Sequence, residues 1–249
     1  FLTRLIYSLN TYLWGMNLNF YKYHGTGNDF VMIDNRSKTF KKRNIDLISK
    51  LCDRHFGIGA DGIILIENAK EFDFKMLYFN PDGSETFCGN GGRCATAFAK
   101  HLNIIGDSAH FIAVDGAHFA TIENNIVSLK MMDVDAIQVQ ENSVFLDTGT
   151  PHHVELVENL DTYPVFENGK KIRYSYKDPG SNVNFVAQVN DATFRVRTYE
   201  KGVENETLAC GTGVTAVAIA MHKIKKTASN LISLPVEGGI LEVSFTEEN

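Results

Sequence analysis

One block of sequence occurs twice, and this repeat constrains the fold more than any other feature of the chain. Glu85-Thr86-Phe87-Cys88-Gly89-Asn90-Gly91-Gly92-Arg93-Cys94 is answered by Glu206-Thr207-Leu208-Ala209-Cys210-Gly211-Thr212-Gly213. Each copy is Glu-Thr, one or two residues, then Cys-Gly-x-Gly. Each is entered from an alternating strand-like run, Phe74–Phe79 or Phe194–Tyr199, and leads into a small-residue helical run, Ala95–Ala99 or Val214–Ala220. The likeness extends upstream, where Tyr23 to Phe30 pairs with Asp147 to Val154. Cys88 lies 63 positions after Gly25, and Cys210 lies 61 after Gly149. Self-similarity in register over such distances marks a duplicated structural unit. The expected organisation is two homologous domains facing each other, 16–130 and 131–249, with residues 1–15 an extension outside the fold.

A chain of 249 residues is long enough for two domains of roughly 100–150 residues, each with its own core. A net charge of −6 gives no basic face for a nucleic acid. No apolar run reaches the roughly 20 residues of a membrane span, and the first fifteen residues lack a small-x-small cleavage site. Four cysteines are too few for a disulfide scaffold, and none has the spacing of a zinc site, so no metal and a reducing cytoplasm are expected.

Asn44 is placed to cap a helix running to about Phe56, with Cys52 on its apolar face. Gly57-Ile58-Gly59-Ala60-Asp61-Gly62 has the letters of a dinucleotide fingerprint. It follows a helix and opens a strand, the reverse of the required order, so it reads as a glycine turn. Cys94 falls inside the helix after Cys88 and reads, like Cys52, as packing. The polar stretch from Glu158 to Pro179 is expected to be loop with one short helix. Leu231–Pro235 and Gly239–Phe245 form a last hairpin.

The chemistry rests on the two cysteines at helix starts. A helix N-terminus stabilises a thiolate, and its first N–H groups are ready for an anion. Glycine after the cysteine lets a ligand approach the backbone. Two such thiols suit removal of a proton beside a carboxylate and its return to the other face, which inverts the carbon without a cofactor. Packing cysteines at two helix starts and a redox pair between Cys88 and Cys210 are the rival readings.

His24-Gly25-Thr26-Gly27-Asn28-Asp29-Phe30, Asp53 to Asp61, Phe79 to Glu85 and the two cysteine blocks together closely resemble the diaminopimelate epimerase family over about residues 16–249. The resemblance implies an α/β (α+β) fold: two pseudo-symmetric domains, each a curled, mostly antiparallel sheet around a central helix, with the site in the cleft between them. It implies a cofactor-independent isomerase interconverting LL- and meso-diaminopimelate, a step of lysine biosynthesis. Cys88 and Cys210 match the acid/base thiols. Gly89, Asn90, Gly211 and Thr212 match the cradle of the reacting carboxylate, and His152 and Glu200 match residues that tune the thiols. Asn28, Asn80 and Asn182 match substrate contacts.

Lys201 stands where the family usually has arginine, which alone grips a carboxylate with a two-pronged fork. Thr150 stands where Asn or Ser is usual, and family members carry further strands after the position of Asn249. A racemase of another amino acid and an inactive fragment are the alternatives. The expected partner is a small amino-acid substrate, with no nucleic acid and no membrane, and with a homodimer left open.

Overall fold

The computed structural model describes residues 4–13, 16–42, 44–177 and 180–248, with side chains from Leu18 onward. The chain divides into two compact units after Lys130. The first unit runs β1 (Arg4–Leu13), β2 (Met16–Gly25), β3 (Asn28–Asp34), α1 (Ile45–Cys52), β4 (Gly62–Glu67), β5 (Phe74–Phe79) and β6 (Glu85–Thr86). It continues with α2 (Gly89–His101), β7 (Ser108–Ala113), β8 (Gly116–Glu123) and β9 (Ile126–Leu129). Its sheet has the order β1-β2-β3-β4-β5-β7-β8-β9, with β6 paired to β5. Neighbours are antiparallel except β3–β4 and β5–β7. Those two parallel steps are the ones bridged by α1 and α2, as a parallel pair requires a crossover.

Residues 4–13 correct an expectation. They do not lie outside the fold but extend the sheet as β1, antiparallel to β2 from Arg4↔His24 to Leu13↔Met16. The segment is rich in Ile, Tyr, Thr and Leu, which suit a strand, and the β2 edge offers a row of backbone groups to pair with.

The sheet is covered on both faces. Helix α2 touches β2, β3, β4, β5, β8 and β9, so the sheet curls around it. Phe30, Met32, Ile64, Ile66 and Met76 meet Cys94 and Phe98 of that helix. The alternate residues Val31, Ile33, Ile63, Leu65 and Leu77 meet Leu47, Ile48, Leu51 and Cys52 of α1. Strand β4 is therefore apolar from Ile63 to Ile66, as a strand buried on both faces must be. Helix α1 starts where Asn44 Oδ1 accepts the Leu47 N–H at 3.1 Å. It stops four residues short of Phe56, because Asp53 leaves the helical conformation and its carboxylate takes the N–H groups of His55 and Phe56 at 2.8 and 2.7 Å.

The second unit repeats this plan. It runs β10 (Ile137–Val139), β11 (Ser143–Asp147), β12 (Pro151–Leu156), α3 (Val165–Ser175), β13 (Asn182–Asn190), β14 (Thr193–Glu200) and β15 (Asn205–Thr207). It ends with α4 (Gly211–Lys223), β16 (Leu231–Val236) and β17 (Gly239–Ser244). The sheet order is β10-β11-β12-β13-β14-β16-β17, with β15 on β14. Parallel pairs again fall at the two helix crossovers. Helix α4 touches β11, β12, β13, β14, β16 and β17, the counterpart of α2.

Helix α3 is longer than the short helix expected there, eleven residues packed on Val183, Phe185 and Tyr199. Its signal is weakened by Gly169, a poor helix former. That glycine is needed for contact: a Cβ there would meet the Tyr199 side chain at 2.4 Å. Among the described residues no helix is long and apolar enough to cross a membrane.

Candidate active site

In each unit a cysteine is the N-cap of the central helix. Cys88 precedes α2 with φ −137° and ψ 123°, and Cys210 precedes α4 with φ −123° and ψ 111°. The extended backbone at each cap starts the helix cleanly, since Gly92 N–H bonds to Cys88 O and Val214 N–H to Cys210 O. Neither helix has an acidic residue in its first turn, while both carry basic residues in the last. The negative helix end is thus balanced by side chains and the positive end is left for another anion.

Around Cys88 the neighbours are ordered by charge. The two-residue turn Thr26-Gly27, with φ of 52° and 86°, closes the β2–β3 hairpin and sets Asn28 at the start of β3. The turn lies against the first turn of α2, where a Cβ on Gly25 would stand 3.0 Å from Asn90 O. Asn28 Nδ2 donates to the Asp61 carboxylate at 2.6 Å, which fixes the amide so that Oδ1 points the other way. That oxygen accepts from Cys88 Sγ at 3.4 Å and from Asn90 Nδ2 at 3.3 Å.

Asn90 is fixed in turn by Arg93, which donates to its Oδ1 at 2.6 Å and to Thr26 Oγ1 at 3.1 Å. Arg93 is buried, and burial lowers its guanidinium, offset in part by the Cys94 and Cys88 thiols. Asp61 belongs to a cluster with Arg54, Asp29 and Lys22. Burial alone would raise the Asp29 carboxyl, but hydrogen bonds from Arg54 and Lys22 hold it below the usual carboxylate range.

Cys210 itself stands beside a neutral hydroxyl. Cys210 Sγ lies 3.4 Å from Thr212 Oγ1, and Thr148 Oγ1 ties the first turn of α4 down by donating to Thr212 O at 2.9 Å. His152, on β12, is fully buried beside Asn182 in the parallel register with β13. Its pKa is pushed down to about 3 by burial first and by the charge of Lys201 second, so the ring is neutral at ordinary pH. The Lys201 N–H donates to Asn182 Oδ1 at 2.7 Å. Glu200 accepts from Thr207 Oγ1 at 3.0 Å, and burial raises its carboxyl above the ordinary value.

The structure thus gathers Asn28, Asn90 and Cys88 in the first unit, and His152, Asn182, Glu200 and Lys201 in the second, with Cys210 beside Thr212. Asn80 is engaged in its own loop. It accepts from Tyr78 Oη at 2.9 Å and donates to Ser84 Oγ and Thr86 Oγ1 at 3.0 and 3.3 Å. Gly89 and Gly211 open their helices. Cys52 and Cys94 are buried among apolar neighbours, and burial pushes both thiols up, Cys52 to about 11. Such thiols are inert. Among the described residues no group of three His, Cys, Asp or Glu side chains could hold a metal ion.

Asp61, Arg93, Asn184, Thr148 and Thr198 were not legible as site residues. Asn184 left a trace, a polar residue on an inward position of the apolar strand Asn182-Val183-Asn184-Phe185-Val186.

A family model described as diaminopimelate epimerase matches residues 20–132 and 144–249, and so covers both units. The chain belongs to the diaminopimelate epimerase family. It is 58% identical over 236 residues to a diaminopimelate epimerase from Flavobacterium psychrophilum, covering 93% of this chain and 92% of the relative. It is 39% identical to one from Aquifex aeolicus, covering 93% and 91%. Among solved structures, a PhzF-family phenazine biosynthesis protein from Bacillus anthracis superposes with a TM-score of 0.71 at 13% identity, covering 90% of this chain and 89% of the other. A probable proline racemase from Agrobacterium radiobacter gives 0.64 at 14%, covering 92% and 85%. At that identity these two speak for the fold alone. They share with this chain its scaffold, here two mostly antiparallel sheets with few helices.

Proposed function

We propose that this chain is a diaminopimelate epimerase, inverting one α-carbon of 2,6-diaminopimelate between the LL and meso forms in lysine biosynthesis. The observation that carries the reading is the paired cysteine caps, one on the central helix of each unit, in a chain 58% identical to a protein of that name. One cysteine, as thiolate, takes the α-proton. The C–H electron pair passes into the adjacent carboxylate, and the N–H groups at a helix start lower the energy of the charge that builds there. The other cysteine, as thiol, returns a proton to the opposite face. Nothing is oxidised or reduced, and no cofactor enters. Gly89, Asn90, Gly211 and Thr212 hold the reacting carboxylate, Glu200 and His152 tune the thiols, and Asn28, Asn80, Asn182 and Lys201 hold the rest of the substrate. The cytoplasm is the fitting compartment for an enzyme that needs its cysteines reduced.

Incubating LL- and meso-diaminopimelate in D₂O tests this. Deuterium should enter one α-carbon as the isomers interconvert. Cys88→Ala and Cys210→Ala should each abolish interconversion with the circular dichroism unchanged, and Cys52→Ala should keep it. Full activity in either of the first two variants would defeat the two-thiol mechanism. Exchange into a one-ended amino acid in preference to diaminopimelate would favour a related racemase, the reading Lys201 keeps open.

A further inference from the structure

Asn184 is fully buried on β13, and its amide makes three contacts. Nδ2 donates to the backbone oxygen of His153 at 3.0 Å and lies 3.0 Å from His152 Nδ1, while Oδ1 accepts from Thr198 Oγ1 at 3.0 Å. A backbone carbonyl can only accept, so the His153 contact decides which end of the amide is nitrogen. The atom facing His152 is then a donor, and Nδ1 must be bare to receive it. A neutral imidazole has one N–H, and the partner of one nitrogen settles where the proton sits.

We propose that Asn184 is a positioning residue that sets the tautomer of His152, leaving the imidazole proton on Nε2. The contact at Nε2 is the weaker rival. Asn182 Nδ2 stands 3.5 Å away, and its orientation is fixed because Asn182 Oδ1 takes the Lys201 N–H. A neutral ring accepts at one nitrogen only, and the 3.0 Å contact at Nδ1 outweighs one at the long limit of a hydrogen bond. His152 acts as a fixed hydrogen-bond donor and does not carry protons in the reaction.

Asn184 also lies against Gly213, in the first turn of α4. A Cβ on Gly213 would meet Asn184 Oδ1 at 2.5 Å and Cys210 Sγ at 3.2 Å, so the same amide packs on the first turn of α4. The use of this donor in catalysis rests on the epimerase reading. The tautomer does not.

The test is long-range ¹H–¹⁵N correlation on protein labelled at histidine nitrogen, without substrate, with His152→Asn used only to assign the signals. The wild type should show a bare Nδ1 and a protonated Nε2. In Asn184→Asp the carboxylate accepts where the amide donated, so Nδ1 should gain a proton. Turnover should then fall about tenfold or more, the cost of one mis-set buried hydrogen bond. A wild-type proton on Nδ1 overturns the proposal even if no variant folds. So does an Asn184→Asp protein that keeps Nδ1 bare. If the tautomer is as expected and diaminopimelate is not turned over, the epimerase reading fails and the positioning role stands.

Discussion

Glu200 is a buried carboxyl that the proposed function uses and that stability alone would not favour. Burial raises its pKa above the ordinary carboxylate value, and one hydrogen bond from Thr207 opposes this only in part. For an acid whose folded pKa is raised, the stability is full below the unfolded value of 4.5 and is lost as pH rises from there through the folded value, because the unfolded chain ionises first. Glu200→Gln should therefore unfold at a higher temperature than the wild type at pH 7 while losing turnover. A lower melting temperature for the variant would contradict this account. Lys201 is a second residue-scale test. Lysine offers a point charge where arginine offers a fork, so Lys201→Arg should lower KM for diaminopimelate with kcat changed less. An unchanged KM would remove Lys201 from the substrate's distal end. At this scale the cysteines, the helix-start glycines, Asn28 and His152 were legible because they lie in contiguous motifs. Asp61 and Arg93 lie in those motifs too, but their task is to orient two amides. That is visible only when the hairpin turn Thr26-Gly27 is seen against the first turn of α2.

The first turn of α4 shows why an element can need a residue that disfavours it. Gly213 is a helix position, where alanine would ordinarily stabilise by about 1 kcal/mol. A methyl there has no room, standing 2.5 Å from Asn184 Oδ1 and 3.2 Å from Cys210 Cβ and Sγ. Gly213→Ala should force Asn184 or Cys210 to move, so activity should fall sharply even if the melting temperature holds. Gly106→Ala, with nothing within 4 Å of the added Cβ, should leave activity unchanged. Equal activity in both variants would show that the close fit of Asn184 and Cys210 around Gly213 does not matter. Elements with strong periodicity, such as β5, α2, β14 and α4, were legible within a residue or two. Helix α1 was read too long because the Asp53 carboxylate ends it from a position that still looks helical. Helix α3 was underestimated because Gly169 and its polar outer face blur the period. The strand β1 was read as outside the fold because its strand-suited residues count only once the β2 edge is there to pair with them.

At the scale of the whole chain, the duplication revealed the repeated architecture, since helix crossovers recur at the same two steps of both sheets. It did not reveal that the two units solve the same problem with different chemistry. The first unit steadies its cysteine with charges: Lys22, Asp29, Arg54, Asp61 and Arg93. The second gathers mostly neutral groups, His152, Asn182, Asn184 and Thr198, next to Lys201 and Glu200. The two should respond to acid differently. His152 is depressed from 6.5 to about 3, so the unfolded second unit binds a proton that the folded one refuses. Its contribution is complete above about pH 6.5 and is lost as pH falls toward 3, at about 1.4 kcal/mol per pH unit for one proton. Buried His153, also lowered by burial though helped by Glu155, adds in the same direction. Asp29 is lowered from 3.8, so what it contributes is lost only below that value. Glu200 works the other way as pH falls toward its ordinary value, but it offsets one proton against those of two histidines, so between pH 6 and 4 the second unit should weaken first. In a residue-resolved NMR titration, signals from β12 to β14 should broaden or vanish before those from β3 to β5. His152→Asn, which removes the refused proton, should flatten the loss in the second unit without moving the first. If both units fade together, or if His152→Asn leaves the second unit's acid response unchanged, the burial of neutral His152 is not what limits acid stability.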